Sequence, residues 1–181
     1  MMRLTASAFL VAALTLSPAL AQTADPKNTI RMETTKGAVT FVLRADIAPK
    51  HAERIKLLAR EGFYNNAPFH RVIDGFMAQT GDGQRGDGTG KSKHPDLAAE
   101  FSKVPFKRGV LGMARSQSPD SGNSQFFIMF ADAAHLNGTY TVIGQVTAGM
   151  DVIDRLNKGP AANNGTVPNP DRIVRMQAAG Q

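Results

Sequence analysis

The stretch FHRVIDGFMAQTGD, residues 69–82, sets Arg71 inside an apolar, strand-like run. Phe76, Met77 and Gln79 follow, and then a glycine turn. No plausible nucleophile stands among them. A second stretch, SQFFIMF at 124–130, has a period of two. Phe126, Ile128 and Phe130 face one way, while Gln125, Phe127 and Met129 face the other. One face must be core. The other sets a glutamine beside an aromatic ring, as the alternation of Met77 with Gln79 also does. An amide next to an apolar side chain suits an extended peptide, whose backbone the amide holds while the apolar residues take one side chain. The alternative is that these are ordinary barrel residues.

Other chemistries lack support. RGDGTGKS at 85–92 imitates a phosphate-binding loop, but the required first glycine is Arg85, and no strand leads into it. Histidines 51, 70, 94 and 135 form no metal-ligand spacing, so they read as surface or structural, and no metal or cofactor is expected. SQSPDSGNS at 116–124 is rich in hydroxyls without a nucleophile elbow. The two NGT triplets, 137–139 and 164–166, are Asn-Gly turns first, and sugar acceptors only in a eukaryotic secretory host.

The elements that must position these residues begin after a leader. Arg3, an apolar run from Ala6 to Leu16, Pro18 and the ending Ala19-Leu20-Ala21 read as a secretory signal peptide over 1–21, cut before Gln22. The run is shorter than the roughly 20 residues that a spanning helix needs. Without cysteine there is neither a lipid anchor on an N-terminal cysteine nor a disulfide scaffold, so about 160 residues must hold one domain by their core. The formal charge is +6, but the basic residues are scattered and carry no nucleic-acid motif.

Residues 22–28 form a polar lead-in. TIRMETTKGAVTFVL then alternates on both sides of Lys36-Gly37, which predicts a hairpin. APKHAERIKLLAREGF changes period. Pro49 suits the first turn of a helix, Ala52, Ile55, Leu58 and Ala59 recur at helical spacing, and Gly62 suits the position just past the end. Residues 69–79 return to strand character, and 80–96 is a long glycine-rich loop. Strands are expected in RGVLGMAR, SQFFIMF, TYTVIGQV and DRIVRMQ. A late helix is expected in AGMDVIDRLNKG from Met150, Ile153 and Leu156. Seven or eight strands, two helices and no βαβ alternation predict a mainly β, closed or nearly closed antiparallel barrel.

FHRVIDGFMAQTGD, GTGKS, GVLGMAR, SQFFI and HLNGTYTVIGQVTAGMDVID, in that order, resemble the cyclophilin-type peptidyl-prolyl cis-trans isomerases. The likeness runs from about residue 29 to 176. It implies a closed eight-stranded antiparallel barrel capped by two α-helices, spanning 29–177 with a tail at 178–181. It also implies an isomerase that turns the X–Pro bonds of unfolded polypeptides. By this resemblance Arg71 matches the catalytic arginine. Phe76, Met77, Phe127 and Leu136 match the proline pocket, and Gln79 and Gln125 match amides near the peptide. Ala114, Arg115 and Ser116 match the segment along the substrate. Gly88 falls beside a secondary pocket, and Tyr140 on the position that closes the site. Tyr140 and the short loops resemble the bacterial periplasmic branch, with secretion as the alternative destination. His135 stands where many members carry tryptophan, so weak cyclosporin binding is expected. Arg115 stands where asparagine is common. A monomer is expected, with no nucleic-acid partner and no membrane span after cleavage. A second reading keeps the groove as a proline-peptide binding module or chaperone that needs no turnover.

Overall fold

The computed structural model describes residues 26–179, so the expected leader lies outside the described residues. Eight strands form one antiparallel sheet. β1 (Thr29–Thr34) and β2 (Gly37–Leu43) make the expected hairpin, in which Ile30 pairs with Phe41 and Met32 with Val39. β3 (Arg71–Ile73), β4 (Met77–Thr80), β5 (Val110–Met113), β6 (Phe126–Met129), β7 (Val142–Ala148) and β8 (Ile173–Ala178) follow. Their spatial order is β3-β4-β6-β5-β7-β2-β1-β8.

The terminal strands β3 and β8 do not zip together as a ladder. Isolated bridges between Pro68 and Arg172 and between Arg71 and Thr166 span the gap instead. The sheet therefore curls into a barrel whose last seam is made by loop backbone. The segment 165–172 runs along that seam: Val72 N–H donates to Gly165 O, Val167 N–H to His70 O, and Phe69 N–H to Asp171 O.

The strand character of residues 69–79 resolves into a tight hairpin, β3 and β4, in which Arg71 pairs with Gln79 and Ile73 with Met77. Asp74-Gly75 makes the turn, with Gly75 at φ 68°. Val72 and Ile73 hid this break by carrying apolar character up to the turn itself.

Helix α1 (Pro49–Arg60) matches its pattern. Pro49 starts it, Ala52, Ile55, Leu58 and Ala59 are buried, and Gly62 lies past its end at φ 68°. Its first turn has no side-chain cap of its own. Glu100, 49 residues downstream, accepts from the Lys50 and His51 backbone N–H groups and from His51 Nδ1. Helix α2 (Met150–Asp154) is shorter than its pattern predicted. Leu156 is buried beyond its end, because the chain turns there without another helical turn.

The alternation of β6 separates two apolar clusters. Phe126, Ile128 and Phe130 join the large interior core with Phe41, Tyr64 and Leu111. Phe127 and Met129 face the other way and pack with Met77, Phe106, Leu136 and Val142. The second cluster lies beneath the candidate site. Among the described residues no helix is long and apolar enough to cross a membrane.

Candidate active site

Two adjoining hollows take up all thirteen candidate residues. The first, about 400 Å³, is lined by Arg71, Phe76, Met77, Gln79, Ala114, Arg115, Phe127, His135, Leu136 and Tyr140. The second, about 280 Å³, shares Gln79, Ala114 and Arg115 with it and adds Gly88, Ser116 and Gln125. The shared residues form the ridge between the hollows.

Strand pairing explains the convergence. β4 lies between β3 and β6, so the register sets Arg71, Gln79 and Phe127 across one row of the sheet. Period two then places Met77 beside Gln79 on the same face. The floor of the first hollow is aromatic. Phe127 stacks on Phe106 at 5.8 Å between centroids and meets Tyr140 edge-on at 5.7 Å. Phe76 stacks on His135 at 5.7 Å. Arg115 lies over the Tyr140 ring at 4.5 Å and donates to the carbonyls of Thr139, Ser116 and Gln117, which ties the rim together. Ser116 is fixed by Ser121 Oγ, which accepts from its backbone N–H and meets its hydroxyl at 2.9 Å.

A continuous polar chain links the arginine to the glycine-rich loop. Arg71 Nη1 donates to Gln79 Oε1 at 3.2 Å, and Gln79 Nε2 donates to Gln125 Oε1 at 3.0 Å. Gln125 Nε2 in turn donates to the carbonyls of Gly88 and Gly90. That loop is gathered around Asp82, whose carboxylate accepts from the backbone N–H groups of Gln84, Arg85, Gly88 and Gly90. Burial alone would raise the Asp82 pKa, but these donors outweigh it and hold it at about 2. The anion in this apparent phosphate loop is thus the protein's own carboxylate. Asp82 was not singled out by the sequence, although an aspartate opening a glycine-rich run is the signal that could have found it.

The remaining histidines have structural settings. His51 is buried against Glu100; burial pushes it below the ordinary imidazole range, more than the carboxylate pulls it up. His70 lies buried beneath Gly88, its Nδ1 unpartnered, and burial likewise pushes it down. His94 contacts Glu61. Among the described residues no group of three or more His, Cys, Asp or Glu is placed to hold a metal.

In the sequence Asn164 reads only as the start of an Asn-Gly turn, with no link to Arg71. Arg71 donates to it twice, from Nε to its carbonyl at 3.0 Å and from Nη2 to Oδ1 at 2.9 Å. Asn164-Gly165 reads as a turn, and it is one, but nothing local says which side chain the turn will meet 93 residues away.

Residues 29–178 match the family model described as cyclophilin type peptidyl-prolyl cis-trans isomerase/CLD. The chain belongs to the cyclophilin-type peptidyl-prolyl cis-trans isomerases. This cyclophilin is 56% identical over 165 residues to a probable peptidyl-prolyl cis-trans isomerase of Brucella suis, covering 86% of this chain and 84% of that protein. It is 41% identical over 132 residues to a peptidyl-prolyl cis-trans isomerase of Helicobacter pylori, covering 71% of this chain and 80% of that one. Among solved structures, the cyclophilin AquaCyp293 from Hirschia baltica superposes with a TM-score of 0.77 at 29% identity, covering 86% of this chain and 75% of that one. A Cryptosporidium parvum cyclophilin-type isomerase crystallised with the dipeptide Ala-Pro gives 0.76 at 28% identity, covering 83% and 98%. The cyclophilin fold and prolyl isomerase activity are therefore properties of this chain.

Proposed function

We propose that Arg71 accelerates X–Pro rotation by donating to the proline nitrogen in the twisted transition state, while Phe76, Met77, Phe127 and Leu136 hold the ring. One observation carries this reading: the guanidinium and those four apolar side chains line the same hollow. The barrier is amide resonance, about 18–20 kcal/mol, and uncatalysed exchange takes tens to hundreds of seconds. Millisecond turnover needs about 10⁴–10⁵-fold acceleration, roughly 5.5–7 kcal/mol. In the planar amide the nitrogen lone pair is conjugated and accepts poorly. In the twisted form it is a localised acceptor, so a fixed donor binds that state selectively.

Burial lowers the pKa of Arg71 from its ordinary value, but a guanidinium starts so high that it remains a cation at neutral pH. A protease-coupled proline-peptide assay tests the step. Arg71→Ala is expected to fold and to lose at least about tenfold in turnover. Turnover at the wild-type rate in the folded variant would remove the mechanism. Peptide binding without turnover in the wild-type protein would leave a binding module.

The substrates proposed are unfolded, proline-containing chains met after export, with the bacterial periplasm as the compartment. The motive is the leader pattern at 1–21. A mature N-terminus at Gln22 in the periplasmic fraction is the expected result; an intact Met1 on cytosolic protein would overturn it. His135 offers an imidazole stacked on Phe76 where many relatives of this type carry an indole, and weak cyclosporin binding follows. Tight binding in a titration of the native protein would contradict that.

A further inference from the structure

Arg71 sits on β3, at one end of the strand order, where a long side chain would swing unless something held it. Its guanidinium carries five N–H donors. Three of them are taken: Nε by Asn164 O, one on Nη2 by Asn164 Oδ1, and one on Nη1 by Gln79 Oε1. One donor is left on each terminal nitrogen. Every acceptor in the set is a neutral amide oxygen. Among the described residues no ion pair includes Arg71.

Asn164 is brought there by a built device. The loop from Gly159 to Val167 is sewn to β3 by Gly159 N–H to Val72 O, Val72 N–H to Gly165 O, and Val167 N–H to His70 O. Gly165, at φ 75°, lies so close to Ile73 and the Val72 carbonyl that a Cβ could not fit. Asn164 itself is left-handed, at φ 51° and ψ 31°, a conformation that asparagine and aspartate tolerate better than other non-glycine residues. The turn that brings the loop back across β3 therefore also aims one amide at the arginine.

We propose that Asn164 is a positioning residue for catalysis: it fixes the guanidinium plane of Arg71 through two neutral acceptors and so leaves the arginine's charge unspent for the proline nitrogen. This rests on the Arg71 reading above. Rotation of the guanidinium would misdirect the two remaining donors, and an arginine free to rotate must lose that freedom in each transition state. A carboxylate in place of the amide would hold the plane just as well but would pair with the charge that the developing acceptor must attract.

The conformation supplies clean variants. Asn164→Gly keeps the left-handed turn and deletes only the amide, whereas alanine would add backbone strain. Asn164→Asp keeps both shape and turn and adds only charge. On-enzyme cis–trans exchange of a proline peptide, followed by NMR, gives the rate, and a titration gives Kd; Arg71→Ala is measured alongside. We expect the exchange rate to fall about tenfold in Asn164→Gly and at least as far in Asn164→Asp, with Kd for the peptide changed less than about twofold in both. A purely structural role predicts no such split, and it predicts a wild-type rate for Asn164→Asp. A wild-type rate in Asn164→Gly, with Arg71→Ala slow, makes Asn164 a turn former only. A wild-type rate in Asn164→Asp removes the requirement for neutrality, and it decides the matter even if the glycine variant unfolds. A wild-type rate in Arg71→Ala defeats the underlying mechanism instead, and the inference with it.

Discussion

At the scale of single residues, the site depends on side chains that hold one another rather than on an unusual nucleophile. Gln125 spends both ends of its amide, accepting from Gln79 and donating to two loop carbonyls. Gln79 thereby has its oxygen turned toward Arg71 and not its nitrogen, which would repel the guanidinium. The spacing of Met77 with Gln79, and of Gln125 with Phe127, already placed each amide beside an apolar neighbour. What the spacing could not show is that the two glutamines meet each other. His135 stacks on Phe76 at the edge of the first hollow. It covers Phe76 with a small ring, so His135→Trp should raise cyclosporin affinity at least about tenfold by adding aromatic contact area. An unchanged Kd in the same titration would contradict this.

At the scale of elements, β5 and the β3–β4 hairpin set the depth and the width of the hollow. Gly112 is the point on β5 over which the Phe127 ring lies. A Cβ there would enter the Phe127 ring and press within 2.7 Å of Phe106. The β5–β6 register pairs these two positions directly, so the ring has no room to retreat along the sheet. Gly112→Ala should therefore cost about 1–3 kcal/mol of stability. It should also raise KM for a proline peptide more than it lowers kcat, since the floor moves and the arginine does not. Chemical denaturation with kinetics on the same preparation checks both. Wild-type stability and KM would show that Phe127 relocates without consequence. The strand character of residues 69–79 is borne out, but it is divided between two short strands. Asp74-Gly75 was the available turn signal, and only the pairing of Arg71 with Gln79 shows that it was used.

At the scale of the whole molecule, the curled sheet keeps two clusters apart, one filling the barrel and one under the active site. Buried ionisable groups tie the loops to this frame and set its pH response. His51 and His70 are held below the ordinary imidazole value near 6.5, chiefly by burial. The unfolded chain takes up protons there before the native one does, so stability should fall as pH drops below about 6.5. Asp82 acts later. Its folded pKa of about 2 lies below the usual 3.8, so the stability it lends is complete above about 4 and is lost as pH falls toward 2. Melting temperatures measured from pH 7.5 down to about 2 should decline in two stages. His70→Asn should flatten the upper stage, and Asp82→Asn should reduce the lower one at the cost of a less stable loop. A level profile between pH 7.5 and 5 would refute the assignment of the histidines.

The sequence by itself determined the hairpin of β1 and β2, helix α1 with its proline and glycine ends, the two-faced strand β6, and the cyclophilin family. These rest on local periodicity and on motifs, which are written along the chain. The tertiary structure alone decided that the barrel closes through loop backbone, that Glu100 caps a helix 49 residues upstream, and that Asn164 grips Arg71. Each of those is a hydrogen bond between residues distant in sequence. Its partner is chosen by where the fold brings backbone and side chain together, and no pattern of neighbouring residues records that choice.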